Sequence, residues 1–297
     1  NWCQSVMGFL VNSFLITGSG EATRGVFGGG STGSISNVID YITIDTPGNA
    51  TDFGDLTTGR QAPAGVSSPT RGVFGGGNTS SGNTTSIDYI TIATTSNAID
   101  FGDLTLARNN FAGVSSPTRG VFGGGGGSNV MDYITIDTTG NAIDFGDLTV
   151  ARSFLAGVSS PTRGVFGGGD GSNVMDYITI DTTGNATDFG DLSVTRGFLG
   201  GLSSPTRGVF GGGNGPSNVM DYITIDTTGN ATDFGDLSTG RYYLAGVSSD
   251  TRGVWGGGSD GTVTNIIEYI TIDTTGNTTD FGDLTVARQQ AAGVQGS

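Results

Sequence analysis

Asp-Phe-Gly-Asp stands six times in this 297-residue chain, at Asp52–Asp55, Asp100–Asp103, Asp144–Asp147, Asp188–Asp191, Asp233–Asp236 and Asp280–Asp283. Paired carboxylates are what a glycoside hydrolase uses, one as acid and one as base or nucleophile. Six copies of one catalytic pair in a single chain argue against that chemistry and for a repeated structural element. Other routes to catalysis lack their residues. The chain has no His and a single Cys, Cys3, so it can assemble neither a His-assisted nucleophile nor a zinc site of Cys and His ligands, and no intrachain disulfide can form. Asp-rich loops can take Ca²⁺, yet no loop has the ligand density of an EF-hand. The recurring Ser-Ser-Pro-Thr reads as a turn, and Asn-x-Thr sequences such as Asn185-Ala-Thr187 fall in hairpin turns. No enzymatic activity, no cofactor and no metal site are expected.

The basic residues are the next group with chemistry to offer. All twelve are Arg and none is Lys. Six follow a Thr and precede Gly-Val: Arg24, Arg71, Arg119, Arg163, Arg207 and Arg252. The other six close each repeat: Arg60, Arg108, Arg152, Arg196, Arg241 and Arg288. The acids keep the same phase, with one before each Tyr (Asp40, Asp88, Asp132, Asp176, Asp221, Glu268) in addition to the Asp-Phe-Gly-Asp pairs. Arg grips a carboxylate through two parallel hydrogen bonds and Lys does not. All twelve Arg are therefore predicted to form structural ion pairs. A net charge of −15 speaks against nucleic acid and anionic membrane surfaces as partners. No charge-free apolar run is long enough to span a bilayer, so membrane insertion is not expected.

These residues are held in register by a repeat. Blocks of Thr-Arg-Gly-Val-aromatic-Gly-Gly-Gly begin at Thr23, Thr70, Thr118, Thr162, Thr206 and Thr251, at spacings of 47, 48, 44, 44 and 45 residues. Within each repeat come a Tyr-Ile-Thr-Ile strand, a turn, the Asp-Phe-Gly-Asp strand and the closing Arg. In the third repeat, strands are predicted at 111–115, 119–123, 131–136 and 142–148, with Phe145 and Leu148 wedged between neighbouring units. Four short antiparallel strands in about 45 residues make one propeller blade. The chain reads as all-β: a six-bladed β-propeller of four-stranded antiparallel blades over 23–297, after a lead segment at 1–22 that is a linker or the end of a preceding segment. The C-terminal stretch 289–295 matches a first strand and is predicted to close the ring. Phe14-Leu-Ile-Thr17 is the competing closure.

The order of strand, turn, strand with a Gly pair, loop, Asp-Tyr strand, turn, outer aromatic and Arg resembles the Kelch repeat. Gly28-Gly29, Tyr41 and Phe53 carry the resemblance in the first repeat, and the pattern recurs over some nine-tenths of the chain. It departs from Kelch in having Phe53, Phe101, Phe145, Phe189, Phe234 and Phe281 where Trp is usual. A copper oxidase on such a scaffold would need His ligands, which are absent. The uniform, Gly-rich, Lys-free repeats also resemble propeller repeats in structural proteins of tailed phages, such as tail fibres and appendages. That resemblance implies a virion or extracellular location and a place in a larger assembly.

Strand order puts the 1–2 and 3–4 turns on one face of the disc and the 2–3 loops and 4–1 connections on the other. The first set is uniform. The second varies in length and chemistry, which reads either as recognition on a rigid scaffold or as drift on a solvated face. Under the first reading, Asn109, Asn110, Phe111, Phe154, Phe198, Tyr242, Tyr243 and Gln289 contact a partner, protein or surface glycan. The expected function is that of a non-enzymatic structural or binding propeller. A carbohydrate-binding, lectin-like propeller is the alternative, and a glycoside hydrolase a distant one.

Overall fold

The computed structural model describes residues 23–297. The lead segment and the Phe14–Thr17 alternative lie outside the described residues. The described chain is an all-β, six-bladed β-propeller of four-stranded antiparallel sheets. In the third blade the strands run, from axis to rim, Ala112–Ser115, Arg119–Gly123, Val130–Thr135 and Ile143–Asp147. The first blade takes its innermost strand from the other end of the chain: Ala292–Gly296 pairs antiparallel with Arg24–Gly28, so that Val26 lies opposite Val294. The second blade carries an additional small hairpin, Asn78–Thr79 with Gly82–Asn83, in its 2–3 loop.

The repeated motifs are explained by how the blades pack. Asp-Phe-Gly-Asp is a β-bulge. In the third blade Met131 faces Gly146 while Asp132 faces Asp144, so Phe145 is the extra residue. The same shift recurs in every blade. A bulge re-aims a side chain, and here it turns the Phe into the core. In the third blade Phe145 stands edge-on to Tyr133 of the same blade, with ring centroids 6.0 Å apart. Phe145 and Leu148 lie in a cluster with Val121, Met131, Phe166 and Ile178, the last two from the fourth blade. The glycine that ends each second strand permits this layering: a methyl group on Gly123 would come within 2.9 Å of the Phe166 ring. Nearest the axis the fit is closer still. A side chain on Gly65, Gly113, Gly157, Gly201, Gly246 or Gly293 would collide with the carbonyl oxygen of its counterpart in the preceding blade.

Every blade boundary repeats the same set of polar links. The amide oxygen of each 3–4 turn Asn accepts the backbone N–H of the last Asp in the preceding bulge, as Asn141 does from Asp103 (3.1 Å) and Asn49 from Asp283 (3.1 Å). Asn185 is bonded in this way to Asp147. Around the axis, the backbone N–H of Ser67, Ser115, Ser159 and Ser203 each reach the hydroxyl of the next blade's Ser; Ser248 N–H donates to the Gln295 amide, and Gln295 N–H returns to Ser67. The ring is thus closed at its seam by the C-terminal strand with the same contacts as elsewhere. Among the described residues no helix is long and apolar enough to cross a membrane.

Deleting Ala292–Ser297 removes the innermost strand of the first blade and the buried Val294, exposing a sheet edge. A lowered thermal midpoint and increased aggregation are expected. An unchanged midpoint in a melting experiment would show that the C-terminal strand is not what holds the first blade.

Candidate functional site

The twelve Arg divide into two kinds. The closing Arg are the ion pairs. Their partners are the acids before Tyr in the adjoining blade: Arg60–Asp88, Arg108–Asp132, Arg152–Asp176, Arg196–Asp221, Arg241–Glu268 and Arg288–Asp40. The grip is not the predicted two-fold one. Arg108 Nη2 meets Asp132 Oδ2 at 2.8 Å and the Phe122 carbonyl at 3.2 Å, while Nη1 donates to the carbonyls of Gly124 (2.9 Å) and Val130 (2.5 Å). The other Asp132 oxygen accepts the Thr105 hydroxyl, so one carboxylate serves both the guanidinium and the preceding blade. All six guanidinium Nε atoms are buried without a hydrogen-bond partner. Burial is the largest influence on Arg108 and lowers its pKa, with the Asp132 charge opposing it. Burial likewise raises the Asp40 pKa above its ordinary value, against the pull of Arg288.

The Arg of the Thr-Arg-Gly-Val blocks are not ion-paired, and the expectation for Arg24, Arg71, Arg119, Arg163, Arg207 and Arg252 is corrected. Among the described residues none has a carboxylate within 4.0 Å. Register explains why. Arg119 pairs with Thr135, and Asp132 pairs with Phe122; successive side chains alternate between sheet faces, which puts this Arg and the acid on opposite faces. Arg119 instead lies over the Tyr133 ring at 4.5 Å and donates to the Ile180 carbonyl of the fourth blade (3.2 Å). The arrangement recurs at Arg24, Arg71, Arg163, Arg207 and Arg252.

The closing Arg also positions the 4–1 connection. The Arg108 carbonyl accepts the Gly77 N–H of the second blade (2.9 Å) while its side chain enters the third. Two residues beyond each closing Arg the backbone turns left-handed, at Ala62 (φ 53°), Asn110 (55°), Phe154 (63°), Phe198 (63°), Tyr243 (61°) and Gln290 (60°). Each of these six donates its N–H to the carbonyl of the one before: Asn110 to Ala62 (3.2 Å), Phe154 to Asn110 (2.7 Å), Phe198 to Phe154 (2.8 Å), Tyr243 to Phe198 (2.8 Å), Gln290 to Tyr243 (3.1 Å) and Ala62 to Gln290 (2.9 Å). The result is a closed ring of six backbone hydrogen bonds around the axis on the variable face. Its side chains rim a depression of about 90 Å³, floored by the next residue of each connection, including Phe111, Leu155, Leu199 and Leu244.

The rim is lopsided. Phe154, Phe198 and Tyr243 are consecutive and pack together, with ring centroids 4.1 Å apart for the first two and 4.7 Å for the last two. Tyr242 backs them at 5.3 Å from Tyr243. The other half is Gln290, Ala62 and Asn110. Burial raises the Tyr243 pKa, while a hydrogen bond with Gln290 works against it.

Of the predicted contact residues, Asn110, Phe154, Phe198 and Tyr243 meet in this ring. Phe111 is a correction: at 5% exposure it is a floor residue, edge-on to Phe122 at 5.9 Å and against the Arg108 guanidinium. Asn109, Tyr242 and Gln289 stand one residue earlier; Tyr242 and Gln289 are bridged to Ser259 and Ser31 of the 2–3 loops. Ala62 and Gln290 were missed. Counting two residues from the closing Arg finds all six. The Asp-Phe-Gly-Asp motifs lie on the rim strands far from this mouth in each blade, and among the described residues no cluster of three or more Cys, Asp or Glu is placed to hold a metal. Neither a scan against protein-family models nor a search of curated proteins finds a match for the chain.

Replacing Arg152 by Met strands Asp176 in a buried place, at an expected cost of about 3–5 kcal/mol. Arg163→Met removes a half-buried cation–π contact and is expected to cost about 1 kcal/mol. Denaturant titration of both variants measures the difference, and equal costs would contradict the division into two kinds of Arg.

Proposed function

We propose that this propeller is a non-enzymatic recognition module of Kelch type whose contact site is the axial mouth on the variable face. The observation that supports this reading is the left-handed ring. A non-glycine residue at positive φ is uncommon and a bulky one a strained outlier, at about 1–3 kcal/mol each. This chain uses glycine at its other left-handed positions in the described residues, with Asp170 the one further exception. At the six ring positions it keeps side chains of five types, with only Phe occurring twice, while the frame around them is copied. Strain of this sort collects where a side chain is needed for contact rather than for the fold. Aromatic residues on a rigid, preformed support are also common anchors of affinity.

The uniform Gly-rich repeats favour a setting on a virus particle, as a tail or appendage protein whose opposite face joins the assembly. That face presents Ser-Pro turns in four of the six blades, at Pro69, Pro117, Pro161 and Pro205, with Asp250 in the sixth and Gln295-Gly296 at the seam, a surface that suits docking and offers little to discriminate between partners.

The reading is tested with a photo-crosslinking phenylalanine analogue placed at Phe198 or, on the opposite face, at the exposed turn residue Thr183. In the intact particle exposed to its host surface, crosslinks to that surface are expected from position 198 and not from 183. The reverse pattern would make the uniform turns the recognition face.

A further inference from the structure

The chemistry of the mouth narrows its ligand, and the choice of ligand rests on the mouth being the contact site. Its twelve lining residues carry no charge, on a chain of net charge −15. The loops on this face add an acid close by: the Asp170 carboxylate accepts the N–H of Ser153, one residue before Phe154. An anionic ligand is disfavoured there and gains no cation in exchange. A depression of about 90 Å³ is well below the several hundred Å³ of a drug-sized site, so it takes one small ring or the end of a chain. The two halves of the rim then differ in what they offer. Phe154, Phe198 and Tyr243 supply apolar, half-buried ring surface. Opposite them stand two amides, Asn110 and Gln290, with the Tyr243 hydroxyl next to Gln290. Between the amides stands Ala62, the smallest side chain of the ring and itself buried.

We infer that the mouth binds a neutral pyranose at the end of a glycan, with one sugar face against the Phe154–Phe198–Tyr243 crescent and its hydroxyls on the Asn110 and Gln290 amides. A pyranose has an apolar face of C–H groups and a polar edge of hydroxyls, and it matches a site that is apolar on one side and amide-lined on the other. Amides act as both donor and acceptor, which suits hydroxyls and does not select for charge. An apolar peptide side chain of similar size would use the crescent alone and gain no hydrogen bond from the Asn110 amide.

Two variants test this without disturbing the frame. Asn110→Ala removes one of the two amides with a residue the chain already holds at nearly the same φ in Ala62 (53° against 55°). Phe198→Ala removes the centre of the crescent. Saturation-transfer NMR with the full chain would use the methyl glycosides of glucose, galactose and N-acetylglucosamine, with N-acetylneuraminic acid as the charged comparison. At least one neutral sugar is expected to bind and the charged one to give no signal. Phe198→Ala should weaken the neutral sugar about tenfold, and Asn110→Ala should weaken it by up to about tenfold through the lost hydrogen bond. The melting temperature of Asn110→Ala should stay close to the wild-type value. No binding of any neutral sugar, while position 198 still crosslinks to the host surface, would refute the sugar and leave the mouth as the contact site. Sugar binding untouched by both variants would refute the mouth itself.

Discussion

Each blade of this ring is tied to the next by one buried guanidinium. The closing Arg has its main chain in one blade and its side chain in the next, where it meets a carboxylate and the carbonyls that end the second strand. Burying such a pair gains little net free energy over an apolar alternative, and burial pushes Arg108 and Asp40 towards their neutral forms. What the pair supplies is position. Its carboxylate is shared with the Thr of the preceding blade, its carbonyl accepts the N–H of the glycine that follows the Gly pair, and the left-handed turn that builds the mouth comes two residues later. The anchor thus works together with the ring of backbone hydrogen bonds to hold the strained connection in place.

Much of the architecture was legible because it is written in side chains that must recur. The Tyr-Ile-Thr-Ile strand, the Gly pair and the closing Arg mark every blade, and the match of 289–295 to a first strand agrees with the observed pairing of Ala292–Gly296 with Arg24–Gly28. The roles of individual polar residues were less legible. Sequence spacing brings Arg119 near Asp132 but does not say that alternation sends them to opposite faces. Asp-Phe-Gly-Asp looked like carboxylates with Arg partners, and it is a bulge whose informative residue is the Phe between the acids.

The mouth shows a similar split. Variation on the 4–1 connections pointed to this face, and four of the eight contact residues chosen from it lie in the ring. Phe111 departs from that expectation because its position carries a buried apolar residue in other blades too: its counterparts in the fourth, fifth and sixth blades are Leu155, Leu199 and Leu244. The left-handed backbone had no signature of its own. Glycine is the usual flag for positive φ, and the ring contains none.

The ring of hydrogen bonds also separates what is inherited from what can change. All six bonds are made by main-chain atoms, so the frame makes no use of the side chain that each position bears. Adjacent repeats of nearly identical sequence are substrates for exchange within a gene, and trading one repeat for another rewrites a single letter of the mouth while the grammar stays fixed. Six positions on a fixed circle form a combinatorial alphabet, in which a changed letter alters the surface of the mouth without altering its frame.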